Sequence, residues 1–183
     1  MLSRVVLPTT AQIHVDVTDD ASLSDAVPLD ASAVQAALSA TNCVGILRVS
    51  NTLAILCSAG ETETALLTVS LRATEPRTGT GPRLAPDDLV RFFRHKPGAP
   101  VVVVVLGELD SRDVPALDLR AFPGLLGLIA KGSIGHHVLK QLARTDCNDD
   151  GDGGGGVHGV PSRRPICPEL ETLNLEFAFP FNV

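Results

Sequence analysis

Apolar and polar residues alternate along several short stretches of the chain, with the two-residue period of a β-strand. Residues 13–17 alternate in this way, which predicts a strand with one solvated face. Residues 43–49 and 52–57 are apolar runs on either side of residues 50–51, and they predict a tight hairpin buried on both faces. A third run at 64–73 extends this hairpin into a three-stranded antiparallel meander.

The other elements are predicted from longer apolar runs and from helix-forming residues. Residues 33–40 are rich in alanine and predict a helix of about three turns. Residues 87–95 predict a second, shorter helix that begins after a proline. Residues 101–106 are six consecutive apolar residues, typical of a strand buried on both faces. Residues 125–142 predict one further helix, which can break near residues 132–135.

The order of these elements predicts the fold class. Residues 173–181 alternate leucine and phenylalanine with other residues, which indicates a C-terminal strand with one apolar face. The whole chain, 1–183, is therefore expected to form a single α+β domain: strand, helix, three-stranded meander, then helix, strand, helix and a C-terminal strand. The sheet is expected to be largely antiparallel, with helices packed on it. Segments rich in glycine, proline and charge predict flexible loops at 74–85 and 145–168.

Composition narrows the classes of partner. The chain has 15 Lys and Arg against 21 Asp and Glu, a net charge of -6, and it has neither Trp nor Tyr. Phosphate neutralisation needs basic surfaces and base stacking needs flat aromatic side chains, so nucleic acid is not expected as a partner. The sequence contains no apolar run long enough for a transmembrane helix and no signal-peptide pattern. It predicts a soluble intracellular protein, cytoplasmic or nuclear, without a cofactor.

The four cysteines are too sparse for a disulfide framework and indicate thiols. In the predicted hairpin, position 44 lies opposite position 57. Cys43 and Cys57 then project from opposite faces of the sheet, so they are not expected to form a disulfide.

One acidic segment resembles part of a calcium-binding loop. Asp146, Asn148 and Asp150 have the spacing of the first three oxygen ligands. The position of the final bidentate Glu is occupied by Val157, which removes two ligand oxygens. A metal-binding module within residues 146–167 is therefore an alternative to a solvated loop. It would hold calcium, or zinc through Cys147, His158 and Cys167.

A basic cluster closes the second predicted helix. Arg91, Arg94, His95 and Lys96 can bind an anionic partner, although favourable interaction with the helix C-terminus explains them equally well. Phe181, near the end of the chain, is a candidate contact with a protein partner.

Two classes of function, a small enzyme and an interaction subunit, are considered for the chain. Glu108, Asp110 and Asp113 follow a buried strand, where catalytic carboxylates of α/β folds often lie. Together with His136 and His137 they define one alternative, a small enzyme with an acidic and histidine-lined cleft. No nucleophile elbow or dinucleotide-binding motif is present. The leading hypothesis is a non-catalytic interaction or structural subunit, an adaptor in a larger protein assembly, with protein partners in a homo- or hetero-oligomer.

Overall fold

The chain folds into a mixed β-sheet with helices packed on one of its faces. The computed structural model describes residues 12–18, 23, 27, 32–60, 64–72, 84, 87–94, 98, 100–109, 113, 117–143, 145–146 and 164–176. Among these residues the main sheet contains seven strands: β1 (Ile13–Thr18), β2 (Cys43–Val49), β3 (Thr52–Ser58), β4 (Leu67–Arg72), β5 (Val103–Gly107), β6 (Gly127–Lys131) and β9 (Thr172–Glu176). The helices are α1 (Ser32–Ala40), α2 (Asp88–Arg94) and α3 (Gly135–Leu142), with 3₁₀ turns at Leu119–Ala121 and Gly132–Ile134.

A small second sheet lies at the two ends of one predicted loop. Its strands, β7 (Thr145–Asp146) and β8 (Arg164–Pro165), pair in antiparallel orientation. The residues between them, 147–163, lie outside the described residues, as do 74–83 of the other predicted loop and 177–183. No helix in the described part of the chain is long and apolar enough to cross a membrane.

The order of strands in the main sheet is β1-β4-β3-β2-β5-β6-β9. Within this sheet β2–β3 and β3–β4 are antiparallel, whereas β1–β4, β2–β5, β5–β6 and β6–β9 are parallel. The protein is of the α+β type, but the prediction of a largely antiparallel sheet is wrong. The physical reason is that strands joined through a crossover connection return in the same direction, and such connections outnumber the hairpins.

The predicted hairpin is confirmed in its register. Val49 pairs with Thr52 and Val44 with Cys57, as a two-residue loop requires. Ser50 begins this loop with φ 54, a left-handed conformation that two-residue hairpin turns demand. Because Cys43 pairs with Ser58, it projects from the face opposite to Cys57, and both residues are buried thiols.

The prediction of one helix over residues 125–142 is wrong. Gly127–Lys131 is strand β6, which pairs with β5, and the helix begins only at Gly135. An apolar run of this length fits a buried strand and a buried helix equally well, so its periodicity cannot distinguish them. Gly132, with φ 86, turns the chain from the strand into the helix, in a conformation that a residue with a Cβ rarely adopts.

The direction of the crossover connections explains why the helices share one face. The connections from β1 to β2, β4 to β5, β5 to β6 and β6 to β9 all join parallel strands and all advance towards β9. Such crossovers are nearly always right-handed, and right-handed crossovers that advance in one direction stay on the same face of the sheet. A doubly wound sheet reverses direction and places helices on both faces, which this strand order does not do.

Burial identifies the covered side, here named the core face. Its side chains form one hydrophobic cluster with those of the helices, including Leu38 of α1, Phe92 of α2 and Val138 of α3. Full burial of an apolar side chain contributes about 1.5–3 kcal/mol, so this layer is the main source of stability. The fully or nearly fully buried sheet residues of the core face are Val17, Val44, Ile46, Leu53, Ile55, Cys57, Leu67, Val69, Leu71, Val104, Leu106, Leu128 and Ala130.

Burial on the other face of the sheet differs from the expectation. Residues 43–49, 52–57 and 101–106 were expected to be buried on both faces, and this prediction is wrong. In β2, β3 and β5 the side chains that alternate with the core residues are mostly half-buried. Among the described residues, the helices pack on the core face only, so no described helix covers the other face.

Candidate functional site

The candidate site is the side of the sheet opposite the core face, here named the open face. Its centre consists of apolar side chains on four adjacent strands, each of them half-buried, and Val49 at the end of β2 is 64% exposed. The central side chains are Leu47 on β2, Ala54 and Leu56 on β3, Val103 and Val105 on β5, and Ile129 on β6.

Contacts around two glycines show how the open face is covered at its centre. A Cβ placed on Gly107 would meet Cδ2 of Leu47 at 3.0 Å. A Cβ placed on Gly45 would meet the side chain of Leu56, nearest at 3.5 Å. Both neighbours belong to adjacent strands, and the hydrophobic cluster that includes the described helices contains none of the central side chains of the open face. The side chains of Leu47 and Leu56 therefore lie beside the glycines of the neighbouring strands.

One end of the open face is more closed than the rest. Cys43 is 5% exposed and Ser58 is 8% exposed, and these two residues pair across β2 and β3. The Ser58 hydroxyl donates a hydrogen bond to the Gly60 carbonyl at 2.7 Å, so the turn after β3 shields this end. The accessible apolar surface extends from there towards Val49.

Charged residues border the open face on both sides. Arg72 of β4 and Asp16 of β1 form an ion pair, with Nη2 and Oδ1 3.7 Å apart. Lys131 of β6 and Glu176 of β9 form another, with Nζ and Oε2 3.3 Å apart. All four side chains are about half exposed or more, so each pair adds little stability to the fold. An apolar centre with a charged, solvated rim is the usual anatomy of a protein–protein interface.

The side chains of the open face favour the binding of another apolar surface through the hydrophobic effect. Its six central side chains carry no titratable group and no nucleophile, because all of them are aliphatic. Burial of apolar surface is favourable and non-directional, and burial of charge is costly. A second apolar surface can therefore dock here without leaving an unpaired charge in the contact.

The structure describes the side chain of one residue of the predicted basic cluster, Arg91. Arg91 is exposed on α2 and lines a cavity between α2 and the 3₁₀ turn Leu119–Ala121. Arg120 lines the same cavity, and sequence reasoning missed it because it lies 29 positions further along the chain. Outside the described residues are His95, Lys96, Phe181 and the side chain of Arg94.

The structure describes four of the five residues of the predicted acidic and histidine set. Asp113 is buried and accepts hydrogen bonds from Arg48 on both carboxylate oxygens, so it acts in a structural ion pair. Glu108 is exposed at the end of β5, with φ 52 and its carboxylate beside Gly132. His136 and His137 are neighbours on α3, with ring centroids 6.1 Å apart. Asp110 lies outside the described residues.

The predicted calcium ligands fall largely beyond the described part of the chain. Asp146 contributes its backbone to β7, and its side chain, Asn148 and Asp150 lie outside the described residues. Within the described ranges, no three His, Cys, Asp or Glu side chains come together in a way that could hold a metal ion.

Comparisons of the chain with models of protein families, with curated proteins and with solved structures find no match. The open face and its chemistry are therefore the basis for a function, since a fold alone does not specify one.

Proposed function

We propose that this protein is a non-catalytic structural subunit that assembles with a second copy of itself through the open face. The observation that carries the proposal is the combination of an apolar centre on four adjacent strands with charged pairs on both borders. Parallel strands are normally covered on both faces, and this sheet is mostly parallel. A partner that covers the open face completes that arrangement.

The size of the open face is close to what a stable dimer needs. Strands are spaced about 4.8 Å apart and rise about 3.3 Å per residue, so seven strands of five to seven residues span about 30 Å by 20 Å. This corresponds to about 600 Å² before the corrugation of the side chains is included. Stable interfaces bury about 800 Å² per partner. Two open faces in contact reach this range.

A second copy of the chain is a suitable partner for the open face, because two identical sheets can pack against each other about a two-fold axis. Two sheets pack face to face about 10 Å apart by interdigitating their side chains, as in β-sandwiches. Two-fold dimers, in which the same patch is used by both subunits, are the most common soluble oligomers. The aliphatic centre of one open face can then cover the aliphatic centre of the other, and the four rim charges stay at the solvated border.

The test is the mass of the protein in solution. Multi-angle light scattering or sedimentation at micromolar and higher concentrations is expected to give twice the 19.1 kDa of one chain. Leu56→Arg places a charge at the centre of the open face and is expected to give a monomer, because a buried unpaired charge is costly. Ala36→Arg adds the same charge to an exposed position of α1 and is the matched control, which should remain dimeric.

A second variant separates loss of association from loss of the fold. Val49 is 64% exposed and has little packing to lose, so Val49→Arg should weaken the dimer while its circular dichroism and melting temperature stay unchanged. A wild-type protein that remains monomeric, or a dimer that withstands both Leu56→Arg and Val49→Arg, would contradict the proposal.

A further inference from the structure

A cavity of about 700 Å³ lies in the helical layer, between α2 and the 3₁₀ turn Leu119–Ala121. Small-molecule sites usually have volumes of about 300–1,000 Å³, an apolar lining and a few polar groups that orient the ligand. Here α2 and the residue before it contribute Asp87, Val90, Arg91 and Phe93. The 3₁₀ turn and its continuation contribute Arg120, Ala121 and Pro123.

The apolar part of the lining is held by an aromatic cluster. Phe93 is 5% exposed and packs edge-on against Phe92, with ring centroids 4.9 Å apart. It also contacts Phe122, at a centroid distance of 5.1 Å. Phe92 and Phe122 are each 1% exposed, so the core fixes the position of the Phe93 ring. The cavity therefore has a preformed apolar wall.

A neighbouring carboxylate orients Arg120. Asp118 accepts a hydrogen bond from the Arg120 backbone N–H at 3.0 Å, which caps the 3₁₀ turn. The same carboxylate accepts from Nε of Arg120 at 2.9 and 3.0 Å and from Nη2. The Arg120 side chain nevertheless stays 57% exposed. Asp118 thus fixes the orientation of the Arg120 side chain, a residue that lines the cavity.

Arg91 and Asp87 complete the polar part of the lining. Arg91 is exposed on the helix, and within the described residues its side chain forms no ion pair. Asp87 lies one helical turn before it. The lining residues therefore include two arginines and one aspartate, and one of the arginines, Arg120, is already paired with Asp118. Guanidinium groups match a carboxylate through two parallel hydrogen bonds, and Asp87 disfavours a ligand with a second negative charge.

We infer that this cavity binds a small monocarboxylate with an apolar body. The ligand carboxylate pairs with Arg91 and approaches Arg120, and its apolar part lies on Val90, Phe93 and Pro123. This binding site is separate from the open face, so it neither requires nor tests self-association.

The experiment is a titration of the full chain, followed by the amide signals in heteronuclear NMR spectra. The probe is 4-phenylbutyrate, with 4-phenylbutyramide as the neutral probe of the same shape and inorganic phosphate as an anion without an apolar body. Saturable shifts at Val90, Arg91, Phe93, Arg120 and Ala121 are expected for the carboxylate. The amide and phosphate are expected to bind at least about tenfold more weakly, as for the loss of a charge-assisted hydrogen bond or of apolar contact.

Variants test the role of the arginines. Arg91→Gln should weaken 4-phenylbutyrate about tenfold or more, and Arg91→Lys should retain part of the affinity because it keeps the charge without the planar fork. Lys140→Gln removes an exposed positive charge from α3, away from both the cavity and the open face, and is the matched control, expected to bind normally. Arg120→Gln serves as a second variant, with the melting temperature measured in parallel.

Three outcomes would overturn the inference. The first is equal affinity for the carboxylate and its neutral amide. The second is tighter binding of inorganic phosphate than of 4-phenylbutyrate. The third is an Arg91→Gln variant that retains its melting temperature and binds the carboxylate as the wild type does.

Discussion

Arg48 and Asp113 form an ion pair buried in the core, between β2 and the segment that follows β5. Nε of Arg48 donates to Oδ2 of Asp113 at 2.8 Å, and Nη2 donates to Oδ1. Their side chains are 6% and 3% exposed. Arg48 occupies a core-face position, in line with Val44 and Ile46, so this pair replaces an apolar contact at the end of the strand.

The energetics of the pair give the first prediction. Asp113→Ala leaves the Arg48 charge buried without its carboxylate and is expected to lower the free energy of unfolding by about 3–5 kcal/mol. The double variant Arg48→Met, Asp113→Leu removes both charges and should lie much closer to the wild type. Urea unfolding of the wild type, Asp113→Ala and the double variant measures both effects. A double variant less stable than Asp113→Ala would contradict this account.

The second prediction concerns Gly98, whose backbone lies close to the backbone of Ser39 in α1. Gly98 has φ 79, and a Cβ placed on it would lie 2.6 Å from the Ser39 carbonyl oxygen. A backbone atom cannot move aside as a side chain can, so Gly98→Ala is expected to cost at least about 2 kcal/mol of stability. Gly45→Ala is the control, because its Cβ would meet only ordinary contacts, nearest at 3.5 Å. Comparable thermal unfolding of the two variants would refute the prediction.

The third prediction concerns the reactivity of Cys167. Burial, assisted by the negative charge of Asp118, raises the pKa of this thiol from 9.0 to about 11. At pH 8 its thiolate fraction should be about a hundredfold lower than in the unfolded chain, and alkylation by iodoacetamide correspondingly slower. Mass spectrometry of the Cys167 peptide, from native and from urea-unfolded protein, measures the two rates.

The same pKa has a consequence for stability. Above pH 9 the unfolded chain loses the Cys167 proton while the folded chain retains it, so the folded state binds more protons. The contribution of this thiol is therefore fully present below pH 9 and is lost as the pH rises towards 11. Cys167→Ser should remove this part of the pH dependence. Equal alkylation rates in the folded and unfolded protein would contradict the shift itself.

Elements whose pattern is local were predicted correctly. The register of the hairpin, Val49 opposite Thr52, follows from the length of its loop. The strands near residues 13–17 and 101–106 and the helices near 33–40 and 87–95 are confirmed, with ends that differ by a residue or two. In each of these segments the pattern of apolar residues and the capping and turn residues indicate the same element. Tertiary contacts therefore do not change which element forms.

The sequence by itself therefore determined the hairpin and the other elements with a clear local pattern, and only the tertiary structure decided the ambiguous run and which face of the sheet the helices cover. The run that contains Gly127–Lys131 suits a strand or a helix, and its pairing with β5 makes it a strand. Leu56 and Val105 look like core residues in any local pattern. They lie on the open face because every crossover advances in one direction, and handedness then places all the described helices on the other side. Likewise Arg91 and Arg120 meet at one cavity because α2 packs on a 3₁₀ turn distant in sequence, and such long-range packing is not encoded in any short pattern.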